Sequence, residues 1–181
     1  LLFLSVLSAC EDTPEGLLDP DTAGIWTLYN TENSGLPGNS VAGLAADQEG
    51  NIWIACPGNG IAKLSDKSWT TYNTSNSGLL SNDVTAIETA DNGKIIVGTN
   101  NGISIYNPAG TWSSYIDPLV TVMDVNSVAS TSDGSIWIGT FNSGLNKHNP
   151  YTKKIIRFTH DHNNINTIND DFLLLKNFIS K

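Results

Sequence analysis

The densest group of side chains that could do chemistry is His160-Asp161-His162, where two imidazoles flank a carboxylate. Such a group could bind a metal or transfer a proton, but histidines two residues apart supply two ligands, and the spacing offers no third. His148 falls at the strand-end position that Leu64 and Tyr106 hold in the related segments, where we expect a partly exposed packing residue. We therefore predict no catalytic residue, no metal site and no cofactor.

Other potentially reactive groups also have structural explanations. Asp47, Asp91 and Asp133 recur within predicted turns, where carboxylates cap backbone amides. Cys56 stands where related segments carry threonine, which indicates a small packed strand residue rather than a reactive thiol.

Cys10 is the exception, because it follows an apolar run of the kind found in export signals. Leu7-Ser8-Ala9-Cys10 resembles the lipobox of bacterial lipoproteins, where cleavage before the cysteine precedes its lipidation. This assigns residues 1–9 to a partial signal peptide and 10–23 to the lipidated cysteine and an acidic, flexible tether. The alternatives are an ordinary signal peptide, or a first strand with an incidental cysteine.

Composition excludes several classes of function. The chain has 181 residues, nine of them Lys or Arg, and a formal net charge of −9. It therefore lacks the basic surface that nucleic acid requires. No segment after Cys10 approaches the roughly 20 apolar residues of a membrane-spanning helix, so we expect membrane attachment only through lipid on Cys10.

Aromatic residues recur at a fixed interval and reveal an internal repeat. Trp26, Trp69 and Trp112 are spaced by 43 residues, and Phe158 follows Tyr115 by the same interval. Two further sets recur in the same order, residues 51–56, 94–99 and 135–140, and residues 60–64, 102–106 and 144–148.

Glycine-containing turns divide each repeat into four short segments. These segments are too short for helices and are bounded by turn residues, so they are predicted to be strands. Four antiparallel strands in about 40 to 45 residues are typical of a β-propeller blade. A β-solenoid is the competing fold, but its repeats are usually shorter.

The predicted fold is all-β, a β-propeller of four-stranded antiparallel blades over residues 24–181. We expect blades at about 41–73, 83–116 and 124–159, and the start of a next blade at 169–176. Residues 26–30 match the outermost strand of a further blade. Because propellers close with about four to eight blades, three complete blades with partial end blades predict a fragment of a larger ring.

The repeats resemble the two-component regulator propeller family, found in extracytoplasmic sensor domains of Gram-negative bacteria. Residues 125–140, 144–150 and the link at 158–169 carry the resemblance. It implies a ligand-binding sensor, often followed by a membrane helix and a histidine kinase, with glycan breakdown products among the ligands. The lipobox departs from that plan and favours a lipid-anchored relative that binds or scaffolds.

The polar connections between blades are the best candidates for ligand contact. Asn33, Asn39, Asn76 and Asn82 lie in these connections, where amides could bind hydroxyl groups. The tryptophans could stack on sugar rings, but their positions within strands favour packing between blades.

The sequence thus predicts an exported, lipid-anchored, non-catalytic propeller that binds an oligosaccharide or an envelope protein. Its expected place is the outer membrane, on the periplasmic face or the cell surface. One alternative is a propeller lyase or carbohydrate-active enzyme with an axial site of histidine, acid and metal. The other is a structural scaffold for envelope proteins.

Overall fold

A computed structural model describes residues 2–5, 26–116, 124–141 and 143–159. All regular secondary structure in these ranges is β-strand. β1 (Leu2–Ser5) pairs antiparallel with β2 (Trp26–Tyr29). Part of the segment assigned to a signal peptide is therefore a strand in this structure, while its role as a signal stays a prediction.

Three four-stranded antiparallel sheets follow, each formed by consecutive strands. Blade 1 contains β3 (Gly43–Ala46), β4 (Ile52–Cys56), β5 (Gly60–Ser65) and β6 (Ser68–Tyr72). Blade 2 contains β7 (Val84–Thr89), β8 (Ile95–Thr99), β9 (Gly102–Tyr106) and β10 (Trp112–Tyr115). Blade 3 contains β11 (Val125–Ser130), β12 (Ile136–Thr140), β13 (Leu145–His148) and β14 (Ile155–Phe158).

The predicted all-β propeller of four-stranded blades is confirmed, and the strands of each sheet lie within the interval predicted for that blade. The predicted next blade at 169–176 lies outside the described residues. In the described part of the chain, no helix is long and apolar enough to cross a membrane.

Turn glycines are required by both backbone conformation and close packing. Gly60 and Gly102 have φ values of 83° and 109°, which L side chains rarely adopt. A Cβ atom at these positions would lie 2.2 Å from the carbonyl oxygen of Tyr72 and 2.5 Å from that of Tyr115. The second turn of each of these repeats therefore fits only glycine.

Aromatic side chains join blade 1 to blade 2. Trp53 stacks on Tyr72 within blade 1, with ring centroids 5.7 Å apart. Tyr106 of blade 2 lies 4.9 Å from Trp53, and Trp112 lies 5.6 Å from Tyr72. Trp53 is only 1% exposed, so this cluster supports the prediction that the tryptophans pack between blades.

Smaller side chains join blade 2 to blade 3. Ile96 and Ile103 pack with Val125 and Ile138 in one buried cluster. His148 of blade 3 is only 4% exposed, so the prediction of a partly exposed residue there is wrong. It is buried because the adjoining blade covers the end of β13.

The outward side of blade 3 has the same aromatic pair as blade 1, but no described residues of a following blade cover it. Trp137 stacks on Phe158 with centroids 5.8 Å apart and rings inclined by 19°, close to the 18° of Trp53 and Tyr72. Trp137 is only half-buried and Phe158 is 38% exposed. The two blades therefore share one internal arrangement but differ in what covers it.

Candidate functional site

The two predicted ligand-binding connections, residues 30–42 and 73–83, share one hydrogen-bonded frame. Asn33 Oδ1 accepts from Asn30 N at 2.9 Å, and Asn33 Nδ2 donates to the Leu28 carbonyl at 2.8 Å. In the second connection, Asn76 Oδ1 accepts from Asn73 N at 2.8 Å, and Asn76 Nδ2 donates to the Thr71 carbonyl at 3.1 Å. Both amides therefore use their oxygen and their nitrogen to shape the loop.

Asn39 and Asn82 close the two connections in the same way. Asn39 Oδ1 accepts from Thr31 N at 2.9 Å, and Asn82 Oδ1 accepts from Thr74 N at 2.8 Å. The structure thus gives all four predicted asparagines a role in loop geometry. Their contact with a ligand stays a prediction.

Packing against the following blade holds each connection in place. A Cβ atom on Gly35 would lie 2.2 Å from Trp69 Cβ, and one on Gly78 would lie 2.4 Å from Trp112 Cβ. The adjacent leucines, Leu36 and Leu79, are 5% and 6% exposed. These loops are therefore fixed surfaces rather than loose connections.

The connections share one end of the blades with the second turn of each blade, and we call this end the loop face. Gly60 N donates to the Asn82 carbonyl at 3.0 Å, and Asn100 Nδ2 donates to Asp83 Oδ2 at 3.1 Å. A Cβ atom on Gly38 would lie 2.6 Å from Asn59 Nδ2. The loop face is therefore rich in amides, whose neutral donors and acceptors suit a hydroxylated ligand.

The opposite end of the blades, which we call the hairpin face, contains the first turn of each blade. Asp47, Asp91 and Asp133 all lie in these turns, but at the first, second and third positions of the turn respectively. The residues that align with Asp47 in blades 2 and 3 are Ala90 and Thr131. The three carboxylates therefore have different surroundings.

A cleft on the hairpin face between blades 1 and 2 has a charged floor. Asp47 accepts hydrogen bonds from Trp53 Nε1 at 2.9 Å and from Asn51 N at 2.9 Å, and its carboxylate lies 3.8 Å from Lys63 Nζ. Burial acts to raise the pKa of Asp47, but hydrogen bonds from Trp53 and Asn51 outweigh it and hold the pKa below its usual value. Lys63 Nζ lies 5.2 Å from the centroid of the Trp53 ring.

The corresponding cleft between blades 2 and 3 has an apolar floor. Ile96 and Ile105 occupy the strand positions that Trp53 and Lys63 occupy in blade 1, as the paired registers show. Ile136 of blade 3 completes this floor. Sequence analysis missed both clefts, although the replacement of tryptophan by isoleucine at this repeat position was the signal that could have located them.

The remaining reactive side chains are not arranged for covalent chemistry. Cys56 is fully buried, and burial raises the pKa of its thiol, which favours the unreactive protonated form. Asp133 accepts from Thr131 Oγ1 and Ser135 N, and these hydrogen bonds lower the pKa of Asp133. Within the described ranges, no group of three His, Cys, Asp or Glu residues could hold a metal ion.

Two predicted chemical features lie elsewhere in the chain. Cys10 and the group His160-Asp161-His162 are both outside the described residues. The roles predicted for them therefore stay predictions.

Packed four-stranded blades with fixed polar connections define a β-propeller. The chain belongs to the family described as SMP-30/Gluconolactonase/LRE-like region, whose model matches residues 63–177. A second model, for the two component regulator propeller, matches residues 35–58 and confirms the resemblance seen in the sequence. No curated protein matches the chain significantly.

Solved structures with the same fold include proteins of several functions. The extracellular domain of the hybrid two component system BT3049 from B. thetaiotaomicron has a TM-score of 0.62 and 22% identity over 77% of this chain. A catalytically inactive virginiamycin B lyase from Staphylococcus aureus, with quinupristin, has a TM-score of 0.60 and 19% identity over 77% of this chain. PorZ, a surface component of the type-IX secretion system of Porphyromonas gingivalis, has a TM-score of 0.56 and 17% identity over 78%.

The chain is much shorter than these proteins. It spans 22% of the first, 47% of the second and 24% of the third. At such identities the likeness establishes the fold, and function must be argued from the residues of this chain.

Proposed function

We propose that this chain is an exported, lipid-anchored β-propeller that binds a ligand or a partner on its loop face without catalysing a reaction. The single observation that carries this proposal is the repeated amide frame of the two connections. Each presents polar side chains on a backbone fixed by buried leucine and tryptophan contacts. A fixed, neutral and hydrogen-bonding surface suits recognition, because little conformational entropy is lost on binding.

An oligosaccharide is the ligand class that we favour for this face. Amide groups both donate and accept, as neighbouring hydroxyl groups do, so the two kinds of group pair without charge. The charged side chain Asp83 is already hydrogen-bonded to Asn100 Nδ2. An envelope protein is the second candidate, and a scaffold role would use the same face.

Export and anchoring are supported by the sequence and by the descriptions of similar solved structures. Residues 7–10 resemble a lipobox, and two of the similar structures are described as an extracellular domain and a bacterial surface component. We therefore propose that the protein lies at the outer membrane, on the periplasmic face or the cell surface. Labelling with a lipid precursor should fail in Cys10→Ala, whereas persistent labelling of that variant would overturn the lipidation of Cys10.

An enzymatic function is the alternative, since the family description includes a gluconolactonase and one similar structure is a lyase. Such a function would need acids or histidines that converge on one site. Product formation from a lactone or from virginiamycin B by the purified chain would favour this alternative over the binding function.

The decisive experiment measures oligosaccharide binding by calorimetry with two isosteric variants. Asn82→Asp retains the oxygen that accepts from Thr74 N, but it replaces the amide donor with a negative charge. We expect native-like thermal unfolding and at least tenfold weaker binding to a panel of di- to hexasaccharides. Asn149→Asp is the matched control, because Asn149 Oδ1 accepts from Tyr151 N in a turn on the hairpin face.

The outcomes separate the candidates. Loss of binding in Asn82→Asp but not in Asn149→Asp would support the loop face. Equal binding by both variants and the wild type would overturn the proposal that the oligosaccharide binds on the loop face.

A further inference from the structure

We propose that Phe141 and Asp124 form one sugar subsite on the loop face, where a neutral pyranose unit stacks on the phenyl ring and donates two neighbouring hydroxyl groups to the carboxylate. This inference rests on the proposed oligosaccharide binding, and it adds a position and a kind of sugar to that function. It starts from a difference between two equivalent turns of this chain.

Phe141 begins the second turn of blade 3, at the position that Asn100 has in blade 2. Asn100 N donates to the Asp83 carbonyl at 3.2 Å, and Phe141 N donates to the Asp124 carbonyl at 3.0 Å. Each aspartate directly precedes the first strand of its own blade. Phe141 and Asp124 are therefore the counterparts of Asn100 and Asp83, and they adjoin each other on the loop face.

The carboxylate of Asp124 lacks the side-chain partner that its counterpart has. In blade 2, Asn100 Nδ2 donates to Asp83 Oδ2 at 3.1 Å, whereas the phenyl ring of Phe141 has no N–H to donate. Within the described ranges, the Asp124 carboxylate forms no hydrogen bond and no ion pair. Its two oxygens therefore remain available to accept hydrogen bonds from a ligand.

Phe141 presents an aromatic surface on a fixed turn. Its side chain is 50% exposed. The turn itself is held by Thr140 Oγ1, which donates to the Gly144 carbonyl at 2.8 Å and accepts from Ser143 N at 2.9 Å. A ligand that covers this ring removes apolar surface from water and orders little of the backbone.

A pyranose unit matches an exposed ring beside an unpaired carboxylate. Its faces carry C–H groups and are apolar, while two equatorial hydroxyl groups on adjacent carbons can both donate to one carboxylate. A wholly apolar ligand would cover Asp124 without giving it a partner, which costs binding energy. An acidic sugar would bring a second negative charge to a chain whose formal net charge is already −9. The subsite therefore favours a neutral sugar with neighbouring equatorial hydroxyls.

The test is a calorimetric titration of the whole chain with cellotetraose and with maltotetraose. Every glucose unit of both sugars keeps a free pair of neighbouring equatorial hydroxyls. Tetragalacturonate keeps this pair as well but adds a carboxylate to each unit, so we expect it to bind about tenfold more weakly. The ring C–H protons of the bound neutral sugar should also shift upfield in the proton NMR spectrum, because they lie over a phenyl ring.

Two substitutions test the ring and the carboxylate separately. Phe141→Leu keeps an apolar side chain but removes the ring, so the upfield shifts should disappear and the affinity should fall about two- to tenfold. Phe141→Trp should retain both the shifts and the affinity. Asp124→Asn removes the charge and one acceptor oxygen, so the neutral sugar should bind about tenfold more weakly and its advantage over tetragalacturonate should shrink.

Matched controls lie in turns on the hairpin face. Tyr151→Leu removes an aromatic ring that is 69% exposed, and Asp66→Asn neutralises an exposed carboxylate. Both variants should bind the neutral sugars as the wild type does. Thermal unfolding shows whether each variant is folded, and the upfield shifts of the wild type test stacking even if a variant unfolds.

The outcomes distinguish failure of this subsite from failure of the proposed function. Absence of binding to every oligosaccharide tried would overturn both. Binding that weakens in Asn82→Asp but is unchanged in Phe141→Leu or in Asp124→Asn would overturn the subsite alone. So would binding of other oligosaccharides but of neither neutral tetrasaccharide, or tighter binding of tetragalacturonate than of both.

Discussion

Tyr115 of blade 2 and His148 of blade 3 stack across the interface between their blades, with ring centroids 4.3 Å apart and planes inclined by 14°. His148 is buried, and its Nδ1 has no hydrogen-bond partner among the described residues. A neutral imidazole is compatible with this contact, but a charged one would lack both water and a counterion. The interface between blades 2 and 3 therefore depends on the protonation state of one residue.

The stability of the folded chain should fall as the pH drops below the pKa of an ordinary histidine. Burial, and then the charge of Lys153, lower the pKa of His148 in the folded chain. The pKa of histidine in the unfolded chain is about 6.5. The contribution of neutral His148 to stability is therefore fully present above that pH, and it is lost as the pH falls through the lower pKa of the folded chain. Urea unfolding at pH 7.5 and pH 5 should show this loss.

The control for this pH effect is His148→Leu, since leucine stands at the equivalent position in blade 1, Leu64. The variant should lose less stability between the two pH values than the wild type does. Equal losses would assign the pH dependence to other groups.

Trp53→Ala should destabilise the protein more than Trp137→Ala does. Truncation of a buried tryptophan costs about 3–5 kcal/mol, and Trp53 is covered by the aromatic residues of blade 2. Trp137 stacks on Phe158 of its own blade and is half-buried, so less contact is lost. Chemical denaturation of both variants measures the difference, and equal costs would mean that the outward side of blade 3 is covered in solution.

Gly78→Ala should destabilise the loop face, because its Cβ would lie 2.4 Å from Trp112 Cβ, an atom fixed to the backbone. We expect a cost of about 1–3 kcal/mol, as in other cases of overpacking. Gly43→Ala is the control, since the nearest atom to its Cβ is Ile87 Cγ2 at 3.4 Å. Thermal unfolding should separate the two variants, and a neutral Gly78→Ala would contradict the close contact.

Asp47→Ala should be costly and Asp91→Ala nearly neutral, although both aspartates lie in equivalent turns. Loss of Asp47 leaves the Trp53 indole N–H and the Asn51 backbone N–H without their acceptor, at a cost of about 1–3 kcal/mol. Asp91 is exposed, and such substitutions usually stay within about 0.5 kcal/mol. The two free energies of unfolding give the comparison, and similar values would contradict the hydrogen bonds assigned to Asp47.

The amino-acid sequence by itself determined the repeat, the number of strands in each blade and the turns that separate them. These features are local, since alternating apolar residues and turn glycines fix strands and hairpins over a few residues. The interval of 43 residues between Trp26, Trp69 and Trp112 then predicted that each blade repeats the last. The loop asparagines could be located in the same way, because Asn76 and Asn82 follow their counterparts in the preceding connection by that interval.

Only the tertiary structure decided which equivalent positions have equivalent surroundings. Trp53 and Trp137 are the same residue at the same repeat position, yet one is covered by a neighbouring blade and the other is half-buried. Ile96 at that position lies in the buried core shared with blade 3, and His148 is buried where partial exposure was predicted. Burial and cleft volume depend on the blade that packs alongside, and a periodic pattern within one blade does not contain that information.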